Sequence, residues 1–414
     1  MLGSIARDRG RTSLAMTALA LIASVCVLSS AAEGRTWLVE KDGSGDFAVI
    51  QDAVDAAASG DTLRIGPGRY DEGQVYSFPG GTYFIRVMVK QEELTFIGSG
   101  PTTIIGPDSV WELDQGHHKG IVAGGSPLPG NNRIIRVENL RLEGMADGLY
   151  TEHTRLCSLL VRQCTFSWNG NSLNVLVDPA VGGSVTVENC NFGAIARDGT
   201  HVSAWYYTSL VIRNCTSLLG GVWEPAQSFA NTTFVSEVMI ENCDIAGGGG
   251  GLVLTGGIAT IHKCHFRRQS FSAMGGALGT EISATECTYS DLERVMLASE
   301  PDVSWSLRDC LVENVGDCSL AVRAVNSLSV QNCDLARGER GIVWVDDKPS
   351  CGGIATVDMT NNYWGTDDPD SIRAWIRDRN DSENACYFVD FEPFSTQSTP
   401  VEKKSLSDVK SLFR

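Results

Sequence analysis

A short signature ending in cysteine recurs along most of this chain, and its spacing constrains the fold more than any other feature. Val-Glu-Asn-Leu140 is followed by Val-Arg-Gln-Cys164, Val-Glu-Asn-Cys190, Ile-Arg-Asn-Cys215, Ile-Glu-Asn-Cys243, Ile-His-Lys-Cys264, Ala-Thr-Glu-Cys287, Leu-Arg-Asp-Cys310 and Val-Gln-Asn-Cys333, with Asn361 and Asn362 in the next turn. Successive members lie 21 to 29 residues apart, too far for a single hairpin and about right for one coil of three short strands. Each coil buries its apolar side only against its neighbours. The core therefore lengthens without thickening, and one domain can run through 414 residues that would otherwise split in two or three.

Within a coil, the apolar residue two places before the asparagine alternates with a solvent-facing one, as a half-buried strand requires. The asparagine suits a bend because it accepts left-handed backbone dihedrals. The cysteine opens the next strand and points inward, with an apolar partner two residues on, as in Cys164-Thr-Phe166 and Cys190-Asn-Phe192. After a variable loop a further strand follows, as in Ser172-Leu-Asn-Val175 and Gly251-Leu-Val-Leu254. The 44 glycines and a charged fraction of 20% fit many tight bends between short strands.

Thirteen cysteines in an exported chain would ordinarily imply a disulfide framework. The ladder argues against it, because parallel stacked side chains do not offer the dihedral near 90° that a bridge needs. Cys164 to Cys333 on the ladder are expected to be buried thiols acting as small apolar residues. Cys351 with Cys386 is the expected bridge among those off the ladder.

Residues 1–32 read as a cleavable export signal: Arg7, Arg9 and Arg11 precede an apolar stretch from Leu14 to Leu28 and the small residues Ser30, Ala31 and Ala32. Losing them removes three arginines and Asp8, which deepens the net charge from −17 to −19. So acidic a surface repels phosphate backbones and excludes nucleic acid as a partner. It stays compatible with a cationic ligand, with Ca²⁺ or with a neutral glycan. No later segment is long and apolar enough to be a stable membrane span. The expected setting is secreted, periplasmic or cell-surface, and the expected state a monomer.

The repeats resemble those of the pectate-lyase-like superfamily of right-handed parallel β-helix proteins. The expected architecture is thus all-β: a right-handed parallel β-helix solenoid of about ten three-strand coils, with short helical caps at both ends. Residues 33–106 hold the N-terminal cap and first coils, 107–362 the central repeats, 363–395 the C-terminal cap and 396–414 a polar tail. The block Asp42-Gly-Ser-Gly-Asp-Phe47, an amphipathic helix with Ile50, Ala53, Val54 and Ala57 on one face, and a Gly-x-Tyr-x-Glu motif at Gly68, Tyr70 and Glu72 are similar to the opening segment of pectin methylesterases. That family's later Gln-Asp, Asp-Phe-x-Phe-Gly and Leu-Gly-Arg-Pro-Trp motifs have no counterpart in this sequence. Asn361-Asn-Tyr-Trp-Gly365, with Asp368 and Pro369 opening a helix, resembles the closing segment of secreted bacterial β-helix proteins. Ile372, Trp375 and Ile376 are expected on one face of that helix.

The resemblance implies carbohydrate along the outer face of the strand after the variable loop. If the leucines and valines of that strand point inward, Tyr150 and Glu152, Asn174 and Asp178, and Trp205 and Tyr207 point outward on three consecutive coils. His201 lies at their edge and Trp223 in a nearby loop. Glu152 and Asp178 on adjacent coils span the carboxylate separations used by glycosidases and could equally hold Ca²⁺. They are the candidate catalytic pair, while Tyr150, Asn174, His201, Trp205, Tyr207 and Trp223 are the candidate ligand-binding residues. No metal site or other cofactor is assigned. His262-Lys-Cys264-His265 looks like a metal cluster, but strand alternation turns its side chains apart. Three readings stay open: a protein that binds polysaccharide without cleaving it, a glycoside hydrolase or lyase, and a structural or adhesive accessory protein.

Overall fold

The computed structural model describes residues 34–78, 81–108, 117–124, 133–154, 156–177, 182–195, 199–219, 227–298, 300–347 and 355–398. The leader expected over 1–32, and the tail beyond its first three residues, lie outside them. Among the described residues the chain winds through three sheets of 14, 10 and 13 strands, parallel apart from one hairpin, returning to each once per coil for about 11 turns. Sheet 1 runs from Thr36–Val39 to Tyr387–Asp390 and carries the residues before each cysteine. Sheet 2 runs from Gly68–Tyr70 to Leu311–Val315, just after each cysteine. Sheet 3 carries the strand after the variable loop and runs from an antiparallel hairpin, Gln74–Phe78 with Gly81–Val89, to Ile376–Arg377.

Register is kept from coil to coil through the middle of sheet 1 and puts like beside like. Leu159, Val185, Leu210 and Val238 are successive partners in sheet 1, as are Val161, Val187, Ile212 and Ile240, and all of them are buried. On the outer side of the same strands Arg162, Glu188 and Arg213 follow one another, and Glu188 binds both arginines, at 3.1 and 2.7 Å. In sheet 2 Phe166 stacks on Phe192 with ring centroids 5.1 Å apart, a packing worth about 0.5–1.5 kcal/mol beyond area burial.

The corner between sheets 1 and 2 explains the repeat signature. The residue before each ladder position, from Asn139 through Gln163, Asn189, Asn214, Asn242, Lys263, Glu286, Asp309 and Asn332, has φ between 52° and 57°. Among residues with a side chain, asparagine and aspartate tolerate that left-handed turn best. Asn242 also donates to the Oδ1 of Asn214 one coil back, at 2.7 Å. The cysteine sits in the corner itself, one residue before the sheet 2 strand that it was expected to open. Its thiol lies 3.3 Å from the carbonyl two residues back, that of Glu188 for Cys190, Arg213 for Cys215 and Glu241 for Cys243, and 3.7 to 3.8 Å from a carbonyl of the preceding coil, that of Val161, Val187 or Ile212. All eight ladder cysteines are free and buried, as the stacking argument requires. Cys386 is disulfide-bonded; Cys351 lies outside the described residues.

Both ends are closed. Helix α1 (Ile50–Ala56) buries Ile50, Ala53 and Val54 against the first coil, and Gln51 accepts from the backbone N–H of Met88 at 2.7 Å. Tyr70 of the Gly-x-Tyr-x-Glu motif is buried, and its hydroxyl reaches the carbonyls of Val39 and Gly66 at 3.2 and 3.3 Å. The motif thus ties the cap to the first coil. Helix α2 (Pro369–Ala374) starts at Asp368, whose carboxylate accepts from the N–H groups of Asp370 and Ser371. It is shorter than expected, since Trp375 caps it and Ile376 already pairs with Val343 in sheet 3.

Candidate functional site

The outer face of sheet 3 is the surface on which the predicted site residues converge. Coil register aligns its outward side chains in three rows. One row runs Lys119, Asp147, Asn171. A second runs Val122, Tyr150, Asn174, Ser203, Asn231 and Val253. The third includes Leu176, Trp205 and Thr233. Leu149, Leu173, Val175 and Val202 between them point into the core.

At one end of this face Lys119 and Asp147 form an ion pair in which each side chain is only 6% exposed. The Lys119 ammonium lies 3.7 Å from the ring centre of Tyr150 and 4.8 Å from that of Tyr83, a cation–π arrangement that replaces lost water. Asp147 also accepts from the side-chain amides of Asn171 and Asn174, at 2.9 and 3.0 Å. The hairpin walls off this end: Tyr76, Phe78, Tyr83 and Tyr150 pack on Ile85, Met88 and Val122 in a hydrophobic cluster separate from the main core.

Two coils further on the face carries exposed rings. Trp205 is 38% exposed and donates from Nε1 to the Ser203 hydroxyl at 2.9 Å. Next to it Tyr206 and Phe234 turn the corner toward sheet 1 with φ of 64° and 54°. Their rings stack 5.6 Å apart on consecutive coils, with Phe234 49% exposed. Beyond this ledge lies a cleft of about 350 Å³ whose lining includes Ser228, Asn231, Val253, Phe271, Gly275 and Leu297. A Cβ at Gly275 would meet only the Leu252 carbonyl oxygen, at an ordinary contact distance of 3.9 Å, so the glycine leaves a trough between Val253 and Leu297, its partners on either side.

Tyr150, Asn174 and Trp205 therefore lie on the outer face, as the alternation predicts. His201 and Tyr207 do not; both are inside the solenoid at 1% exposure. His201 falls at the start of its strand, where two consecutive residues, His201 and Val202, face the core. Its ring packs between Phe192 and Phe229, with Nδ1 3.1 Å from the Ser172 hydroxyl. Burial pushes its pKa down to about 3, so the imidazole stays neutral. Tyr207 follows the left-handed Tyr206, and that turn carries its ring inward, where burial raises its pKa. Neither residue can meet a ligand on the outer face. Glu152 pairs with Gly124 through its backbone; its side chain, Asp178 and Trp223 lie outside the described residues. Simple alternation did not reveal Lys119, Asp147 and Asn171, because each is followed by two consecutive buried residues, Gly120 and Ile121, Gly148 and Leu149, and Ser172 and Leu173. Tyr206 and Phe234 were missed because they belong to a corner.

Among the described residues no three His, Cys, Asp or Glu side chains converge as metal ligands. No helix among them is long and apolar enough to cross a membrane.

Residues 147–293 match a family model described as the right handed beta helix region. No curated protein matches the chain. Among solved structures, a pectin methylesterase from carrot is 13% identical over 68% of this chain and 84% of its own, with a TM-score of 0.36. The ORF18 protein of Geobacillus virus E2 is 9% identical over 87% of this chain and 61% of its own, with a TM-score of 0.26. The family match falls on the middle coils of a solenoid that continues with the same three sheets on either side, and the chain is a right-handed parallel β-helix protein.

Proposed function

We propose that this protein binds a glycan chain along the outer face of sheet 3 and does not cleave it. The reading rests above all on the succession along one face of a buried, amide-bonded ion pair, an exposed Trp205 and a Tyr206–Phe234 ledge. Rings at sheet-coil spacing, about 4.8 Å per coil, offer flat apolar platforms to successive sugars, while Asn174, Ser203 and Asn231 in the middle row offer donors and acceptors for hydroxyls. Among these outward groups, Asp147 already accepts from Lys119, Asn171 and Asn174, so it is not a free general acid or base. With its acidic surface the protein suits a neutral or cationic glycan. We further propose that it acts outside the cytoplasm, exported by the leader in residues 1–32.

A glycan microarray probed with the mature chain, followed by reducing-sugar and unsaturated-uronate assays on every polymer bound, tests this reading. Binding to one polymer class without product release is expected. Product release would replace it with the hydrolase or lyase reading, and no binding on the array would overturn both.

A further inference from the structure

We propose that Ser290, His265 and Asp244 form a hydrolytic site for short-chain neutral carboxylic esters on the outer face of sheet 2. Asp244 and His265 are register partners on adjacent coils, and Arg267 and Ser290 are partners across the next boundary. The Ser290 hydroxyl lies 3.1 Å from His265 Nε2. The other ring nitrogen, Nδ1, is 3.7 Å from Asp244 Oδ1. Hydroxyl, imidazole and carboxylate thus stand in the order of a nucleophile, its base and the group that orients the base, at separations that commonly tighten once substrate binds. The site does not depend on the glycan reading, since it lies on a different sheet.

The surroundings fit these roles. Asp244 is buried and fixed by two bonds from Arg267, at 2.9 and 2.8 Å. Burial lowers the His265 pKa; Asp244, Glu313 and Asp291 push it up and Arg267 pushes it down, with a net fall. The ring is therefore neutral at pH 7. With its proton on Nδ1, toward Asp244, Nε2 can accept from Ser290. Glu313 follows Ser290 in the register and Asp291 follows it in sequence. These carboxylates repel anionic acyl groups and favour a neutral one such as acetyl. His265 and Ser290 are half-buried on an open sheet face, which suits an ester carried on a large alcohol.

In the reaction, Ser290 Oγ bonds to the ester carbon as its proton passes to His265 Nε2, and the carbonyl π pair moves onto the oxygen to give the tetrahedral oxyanion. Collapse breaks the bond to the alcohol oxygen, which takes the proton from His265. Water then attacks the acyl-serine, giving a proton to His265, and the acid leaves as the proton returns to Ser290. Ser290 and His265 are the catalytic residues, and Asp244 is a positioning residue.

The test is labelling of the full chain with a fluorophosphonate, mapped by mass spectrometry, together with hydrolysis of p-nitrophenyl acetate. Modification is expected at Ser290. Ser290→Ala should abolish it and His265→Gln should slow it by about a hundredfold, both with unchanged circular dichroism and Tm. Asp244→Asn should move the acidic limb of the labelling rate to lower pH, because the carboxylate that raises the His265 pKa is gone. Labelling of Ser290 no faster than that of Ser283, or undiminished in His265→Gln, would reduce the trio to a hydrogen-bonded ladder and overturn the proposal.

Discussion

Lys119 and Asp147, one coil apart on an outward face, are as buried as core residues, at 6% exposure each. Tyr83 and Tyr150 take the place of water around the ammonium, and Asn171 and Asn174 do so around the carboxylate. Removing one charge leaves the other desolvated and alone, which costs about 3–5 kcal/mol, whereas replacing both with apolar groups is often nearly neutral. Lys119→Met and Asp147→Leu should each lower stability by that amount in urea unfolding, and the double variant should recover most of it. Single variants within about 1 kcal/mol of the parent would mean that solvent screens the pair.

The ladder cysteines should be chemically silent while the protein is folded. Burial raises the thiols of Cys190, Cys215 and Cys243 well above their usual pKa, and the thiolate is the reactive form. Iodoacetamide footprinting should find these three unmodified in native buffer at pH 8 and fully modified in guanidinium. Alkylation of any of them at the rate of an exposed thiol would show that the corner opens in the native state.

His201 should make stability depend on pH in a defined window. Its folded pKa, about 3, lies below the ordinary value near 6.5, so between these limits the unfolded chain binds the proton that the folded one refuses. The stability it permits is complete above about pH 6.5 and is lost as pH falls toward 3, at up to about 1.4 kcal/mol per pH unit. His201→Leu should flatten the urea midpoint between pH 6.5 and 4 relative to the parent chain. Identical slopes in the two proteins would mean that His201 is protonated in the folded state.

The sequence revealed the fold because the solenoid repeats one set of demands in every coil. The left-handed corner selects asparagine, the thiol corner selects cysteine, and the alternation in sheet 1 is strict from Leu159 to Val330. The site was only partly legible. Tyr150, Asn174 and Trp205 obeyed simple alternation, but consecutive inward residues at the start of the sheet 3 strands placed His201 in the core and hid Asp147. The turn at Tyr206 did the same to Tyr207. The His265–Ser290 contact joins residues 25 apart, and only the coil register brings them together.

Affinity electrophoresis through gels containing the polymer selected on the array, comparing the parent chain with Trp205→Ala and Phe234→Ala, tests the glycan-binding face most directly. Strong retardation of the parent and loss of most of it in both variants are expected, with unchanged mobility in gels without polymer. Equal retardation of all three proteins would place the ligand elsewhere and contradict the assignment of the outer face of sheet 3.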